Sequence, residues 1–196
     1  MNKLLDEFTE LEYKYDASNV KLSDFQKFID GLKEDHDYQK LQEASSWDMY
    51  YVSSDNPNSF MRFRNGESPE LTIKEKTVDS NNWERFELDL PLDGRRITEV
   101  TVDKFTSYLG YFLSRKIFKS CFIHWFNLVN YVYYTVYNDE MVEIGRYIEV
   151  EINKDKVPEL QETAISLLKS HEKALAQLGL NHNNRMKRSL FEIYVK

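Results

Sequence analysis

The sequence predicts an α+β fold carried by about eight antiparallel strands, mostly joined as hairpins, with three helices beside them. Three observations predict it. Apolar and charged residues alternate with a period of two in segment after segment, the spacing of side chains on one face of a strand. Polar clusters such as Asp55-Asn56-Pro57-Asn58 separate these segments as turns. Helical spacing of apolar residues is confined to three stretches. Antiparallel strands in this number commonly curl or close on themselves.

The first strand is residues 7–15, where Glu10, Glu12 and Lys14 share one face and Leu11, Tyr13 and Tyr15 the other. A helix over about 24–34 follows, because Ser23 and Gln26 have capping-box spacing and Phe25, Phe28, Ile29 and Leu32 recur at helical intervals. Polar residues lead to a second strand near Asp48–Val52. Strands then come in quick succession at Phe60–Arg64, Leu71–Lys76 and Trp83–Leu90, with Asn65-Gly66 as one hairpin turn and Asp79-Ser80-Asn81-Asn82 as another. Val102, Phe105, Tyr108 and Leu109 mark a helix of about 101–110. Two long aromatic-rich strands, Ile117–Phe126 and Val129–Tyr137, are divided near Asn127, and Tyr147–Ile152 is the last strand. From Pro158 to Leu178 the pattern is helical, with an apolar stripe that packs onto the body and Gly179 suited to a C-cap. Arg185, Lys187 and Arg188 read as solvated surface ahead of a short apolar tail, Leu190–Tyr194.

A chain of 196 residues with 41% hydrophobic content is long enough for a real core, and 1–196 reads as one domain. The formal net charge of −7 gives no nucleic-acid footprint, which appears as a basic excess on one face. No apolar run approaches a membrane span, and the N-terminus lacks a signal-peptide core. The single Cys121 excludes an internal disulfide framework, is consistent with a reducing cytoplasm, and reads as core. His36, His124, His171 and His182 show no metal-ligand spacing, which argues against zinc. His124 reads as a structural histidine that faces the interior only if the register allows. No P-loop or Gly-rich dinucleotide fingerprint exists, so a phosphate would not be held at a helix N-terminus.

The charged positions carry the chemistry. Glu10 and Glu12 stand two apart on a strand and would repel if buried, unless a cation lay between them. The same spacing recurs in Arg62 and Arg64, in Lys74 and Lys76, in Arg85, Glu87 and Asp89, and in Glu149 and Glu151. For any one pair the alternative is a wet outer face. For the set, the faces could instead turn inward in a closed barrel, with Lys and Arg on one side and carboxylates on the other. Such a channel suits a polyanion held with a divalent metal, since Arg matches phosphate oxygens bidentately and carboxylates suit Mg²⁺ or Mn²⁺. An interior of like-charged Lys and Arg would be strained when empty.

These residues resemble the motifs of the CYTH superfamily, the triphosphate tunnel metalloenzymes. Its opening Glu-x-Glu-x-Lys stands here as Glu10, Glu12 and Lys14, its aromatic strand as Asp48-Met49-Tyr50-Tyr51, and its Arg-x-Arg strand as Arg62 and Arg64. Leu71-Thr72-Ile73-Lys74, then Arg85 and Glu87, then Asp139, Ile144-Gly145, Glu149 and Glu151 follow in the family's order. Ser189-Leu190-Phe191-Glu192-Ile193 echoes its closing motif. The matches span most of the chain. Val52 and Leu190 depart from the pattern, and Arg115, Lys116 and Lys119 compete for one basic position, where Cys121 also stands near.

The resemblance implies an eight-stranded antiparallel β-tunnel, a closed barrel with flanking helices, that binds a small-molecule triphosphate. It implies metal ligands at Glu10, Glu12, Asp139, Glu149 and Glu151, holding Mg²⁺ or Mn²⁺. It implies phosphate contacts from Lys14, Arg62, Arg64, Lys74, Lys76, Arg85 and Lys119, with Glu10, Glu12 and Lys14 catalytic. The expected activity is hydrolysis of inorganic triphosphate, thiamine triphosphate or a nucleoside triphosphate. The alternatives are a class IV type adenylyl cyclase and a tunnel that binds a phosphorylated metabolite without turnover. No nucleic-acid or membrane partner is expected, and the protein is expected to be a cytoplasmic monomer or homodimer.

Overall fold

The computed structural model describes residues 6–34, 37–57, 59–75, 83–92, 97–153 and 161–195. Eight strands, β1 (Asp6–Asp16), β2 (Tyr38–Val52), β3 (Ser59–Gly66), β4 (Glu70–Glu75), β5 (Trp83–Pro91), β6 (Phe112–Phe126), β7 (Val129–Tyr137) and β8 (Glu143–Ile152), pair antiparallel in the order β1-β5-β4-β3-β2-β6-β7-β8, and the circuit of pairings closes. The circuit is completed by β1 in two halves. Its residues 6–12 pair with β5 and residues 12–16 with β8, so Glu12 alone among the described pairings lies opposite both, at Trp83 and Glu151. Four α-helices flank or enter the sheet: α1 (Leu22–Lys33), α2 (Glu99–Tyr108), α3 (Gln161–Leu175) and α4 (Leu190–Tyr194). None of the described helices is long and apolar enough to cross a membrane.

The period-two pattern decides which residues face out. Tyr13, Tyr15, Tyr131, Tyr133, Ile148 and Val150 form the outer face of β1, β7 and β8, where Phe25, Phe28 and Ile29 of α1 and Leu168 and Leu175 of α3 cover them. Met49, Tyr51, Met61, Phe63 and Leu71 do the same on β2–β4, beneath Val102 of α2. The apolar stripe of α3 thus packs onto the body, as its spacing indicated.

A third cluster lies inside. Tyr50, Phe60, Ile117, Val136 and Tyr147 close around Leu190 and Phe191, so α4 stoppers one end of the barrel. The rings of Phe60 and Phe191 stack at 4.1 Å. Ser189 and Glu192 form the capping box that starts this short helix. The Tyr194 hydroxyl donates to the Ile144 carbonyl at 3.0 Å and is also bonded to the Tyr147 hydroxyl. Gly145 is required there, because a Cβ would collide with both hydroxyls.

Several boundaries differ from the sequence expectation. The second strand begins at Tyr38, ten residues before Asp48, because it pairs along its length with β6. Asn65-Gly66 is not a turn but the end of β3; residues 67–69 make the connection. The glycine serves close approach instead, since a Cβ at Gly66 would press on the Ser45 carbonyl at 3.0 Å. Leu190–Tyr194 is a fourth helix. Gly179 caps the third helical stretch with φ 75°, as expected. Arg185 is no solvated tail residue: its guanidinium donates to Glu172 at 2.6 Å and lies 3.5 Å over the Tyr13 ring. The turn expected at Asp79–Asn82 and the helix start at Pro158 lie outside the described residues.

Candidate active site

β1 and β8 pair Glu12 with Glu151 and Lys14 with Glu149, which brings all four side chains to the interior face. Carboxylate oxygens of Glu12, Glu149 and Glu151 lie within 4.8 Å of one another. Like charges so close require a cation. Lys14 supplies one: its ammonium is 3.0 Å from Glu12 Oε1 and 2.9 Å from Glu149 Oε1. The Tyr134 hydroxyl donates to Glu149 at 2.7 Å. Burial pushes the Glu149 carboxyl upward, but Lys14 beside it, then Lys119, outweigh that and hold it below the ordinary value.

The opposite wall is basic. Arg62 and Arg64 on β3, Lys74 on β4 and Lys119 on β6 are half-buried or buried. Arg64 donates to Asp48 Oδ1 at 3.1 Å, and the Lys119 ammonium is 3.0 Å from Asp48 Oδ2. Arg62 donates to Glu70 at 3.1 Å and to Thr72 at 3.2 Å, and the Thr72 hydroxyl donates to Glu70 at 2.9 Å. Asp48 has no exposed surface. Its burial alone would raise its pKa, yet Arg64, Lys119 and Arg62 hold the carboxyl far below the usual carboxylate range.

This corrects the expectation that the interior Lys and Arg would be strained by mutual repulsion when no ligand is bound. Among the described residues, Glu12, Asp48, Glu70, Glu149 and Glu151 match Lys14, Arg62, Arg64, Lys74 and Lys119 in number. The physical reason is the cost of burying an unpaired charge, several kcal/mol per ion. Each wall therefore carries its own counter-charge.

The register settles the competing basic residues. Lys119 faces the interior, opposite Ser46 and Val136. Lys116 reaches Glu99 of α2 at 2.7 Å on the outside, and Arg115 is exposed. Asp139 is not brought to the glutamates. It sits exposed in the β7–β8 turn, beyond the stoppered end, because β7 ends at Tyr137. Cys121 packs against the inner apolar cluster, in keeping with the core reading, and also lines the cavity; burial pushes its thiol up. His124 faces outward against Phe25, and burial, with Lys33 nearby, lowers its pKa to about 4. Lys76 lies outside the described residues, as do the side chains of Glu10 and Arg85; the backbone register places those two opposite each other.

A cavity of about 320 Å³ connects the two walls. Glu149, Glu151, Tyr134, Lys119, Arg64 and Glu70 line its charged part, and Ser45, Glu67 and Ser68 lie exposed at its mouth. Sequence reasoning missed Asp48 as the counter-ion, although it stood within the quoted motif. It missed Glu70 and Thr72 too, although both share period two with Lys74. Nothing in the tyrosine-rich run 131–137 singles out Tyr134.

No protein-family model matches the sequence, and no curated protein does. Solved structures are similar across nearly the full length. A protein of Pyrococcus horikoshii, PH1012, is 19% identical with a TM-score of 0.67, covering 93% of this chain and 98% of that one. A candidate adenylate cyclase of Vibrio parahaemolyticus is 14% identical at a TM-score of 0.67, covering 94% and 97%. Another from Bacillus halodurans is 13% identical at 0.61, covering 97% and 99%. At these identities the likeness carries the fold and not the activity. The fold is that of the triphosphate tunnel proteins that the sequence motifs resemble.

Proposed function

We propose that this protein is a metal-dependent triphosphatase that hydrolyses a small-molecule triphosphate inside its barrel. One observation carries the reading: a cluster of three carboxylates faces a wall of Arg and Lys across a cavity that opens at one end. Hard oxygen donors in such a cluster fit Mg²⁺ or Mn²⁺, held by Glu12, Glu149 and Glu151, with Glu10 on the same strand. When bound, such an ion would supply Lewis-acid charge to the phosphate oxygens. Asp139 drops out of the ligand set, because it lies in the exposed turn.

Arg62, Arg64, Lys74 and Lys119 bind and orient the phosphate chain, with Arg85 and Lys76 as further candidates from the motifs. Asp48 and Glu70 hold the guanidinium groups of Arg64 and Arg62 in place before a ligand arrives, so little reorganisation is needed when charge develops on the transferring phosphoryl group. Lys14, displaced from the glutamates, is within reach of the same phosphates. The enclosing barrel excludes bulk water apart from the attacking molecule.

Adenylyl cyclase activity is the second reading, favoured by the likeness to candidate adenylate cyclases. A panel of triphosphates with Mn²⁺ or Mg²⁺, with and without EDTA, tests both. Orthophosphate supports hydrolysis, and pyrophosphate with a cyclic nucleotide supports cyclisation. Tight binding without product supports sequestration, and full activity in a metal-free preparation refutes the carboxylate site.

A further inference from the structure

Between the two charged walls of the cavity stands one uncharged side chain that touches both. Tyr134 on β7 lines the cavity, is 1% exposed, and lies opposite Cys121 of β6 on one side and Tyr147 of β8 on the other. Its neighbours Tyr131 and Tyr133 belong to the outer face, where their hydroxyls bond to His171 Nδ1 at 2.7 Å and to the Val20 carbonyl at 3.0 Å. A phenylalanine would fill the place of Tyr134 with the same ring and no hydroxyl to satisfy. The hydroxyl therefore needs its own account.

The ring is fixed before the hydroxyl acts. It packs on Tyr147 at 5.4 Å, within the apolar cluster around α4, and the Lys119 ammonium lies 5.3 Å from its centroid. Lys119 is itself anchored to Asp48 at 3.0 Å, so the basic wall holds the ring from one side. The hydroxyl then donates to Glu149 Oε1 at 2.7 Å, the same oxygen that lies 2.9 Å from the Lys14 ammonium. Both donors take Oε1, and neither takes the carboxylate's second oxygen.

We infer that Tyr134 is a positioning residue: its hydroxyl sets the orientation in which Glu149 offers an oxygen to the divalent ion. The inference rests on the reading of the carboxylate cluster as a metal site. When the Lys14 ammonium is displaced from the cluster, Tyr134 is the donor that still holds Oε1, and the carboxylate keeps its orientation. Donors behind a ligating carboxylate govern metal affinity without touching the metal. The same side chain rests on the basic wall through Lys119, so the orientation of the acidic wall is referred to the wall that faces it.

The test is binding of two probes, each alone, to the parent, Tyr134→Phe and Tyr133→Phe. Mn²⁺ is followed by the electron paramagnetic resonance of the free ion, and tripolyphosphate by the shift in melting temperature. Tyr134→Phe keeps the ring and loses only the hydroxyl. It should weaken Mn²⁺ binding about tenfold, the lower end of the effect of removing a partner behind a metal ligand, and leave tripolyphosphate binding unchanged. Tyr133→Phe removes a hydroxyl hydrogen bond from the outer face of the same strand and should change neither affinity. A merely structural role for Tyr134 would lower the melting temperature of the unliganded protein and leave Mn²⁺ affinity where it was. Parental Mn²⁺ affinity in Tyr134→Phe, or an equal loss in Tyr133→Phe, overturns the positioning role and leaves the metal site standing. A fall in tripolyphosphate affinity as large as that for Mn²⁺ also overturns it, since the whole interior would then have loosened. A parent that binds neither probe overturns the metal-dependent triphosphate site and the positioning role together.

Discussion

Replacing Lys14 by methionine removes the cation that holds the carboxylate cluster together. The ammonium contacts Glu12 at 3.0 Å and Glu149 at 2.9 Å, and the three side chains are 6%, 5% and 13% exposed. Water therefore screens these contacts little, and breaking a buried pair by deleting one partner costs about 3–5 kcal/mol. For a chain of this length the melting temperature should fall by about 6–20 °C, at about 2–4 °C per kcal/mol. The sign with pH follows from Glu149, whose folded pKa lies below its ordinary 4.5. Its stabilisation is present above that ordinary value and is lost as pH falls through the lower folded one. The gap between parent and variant should thus persist through neutral pH and close in acid. Mn²⁺ should rescue the variant more than it stabilises the parent, because no ammonium has to be displaced. Thermal melts with and without Mn²⁺ read both effects. A variant that melts with the parent and gains no more from the metal would refute the internal-cation reasoning.

Other perturbations follow from the same geometry. Glu12→Gln and Glu149→Gln should abolish turnover and the Mn²⁺-dependent melting shift while circular dichroism shows a folded protein. Arg64→Ala should weaken the shift induced by tripolyphosphate and also destabilise the unliganded protein by about 1–3 kcal/mol, since buried Asp48 loses a donor; an unliganded variant as stable as the parent would contradict that pairing. His124 has its pKa lowered from 6.5 to about 4, so the unfolded chain takes up the extra proton and stability is lost as pH falls through that window. His124→Phe should flatten that loss, on the order of 2 kcal/mol after solvent screening, in urea titrations across the window. Phe191→Ala should cost about 3–5 kcal/mol by undoing the stack on Phe60, and limited proteolysis should then cut first near α4.

The parts of the fold that were legible in the sequence are those where one face is wet or charged and the other apolar. β1, β3 and β8 show that contrast, and their inward charges could be named residue by residue. The first half of β2 does not, because Gln39, Lys40, Gln42, Glu43, Ser45 and Ser46 are polar on both faces near the mouth. Its strand character comes from pairing with β6, which no local pattern reveals. α4 is too short for helical periodicity to register. The choice of Lys119 over Arg115 is not one of face, since the two share period two on β6; Arg115 lies exposed near the start of the strand, opposite Tyr50 of the stoppered end, and no local pattern shows that. The pairing of Asp48 with Arg64 and Lys119 joins three strands, and such neighbours emerge only from the sheet order.

The seam between β1 and β8 joins the beginning of the described chain to its last strand. Every other joint of the sheet apart from β1–β5 and β2–β6 links neighbours in sequence, so the ring cannot be completed until nearly the whole chain has been made. At that late joint Glu12 stands directly opposite Glu151, an arrangement that opposes strand pairing. Closure of the longest loop in the molecule and neutralisation of its most crowded acids are thus one event. A divalent ion held there would act as a clasp on the ring, and ligand chemistry and the final step of assembly would share a single fastening.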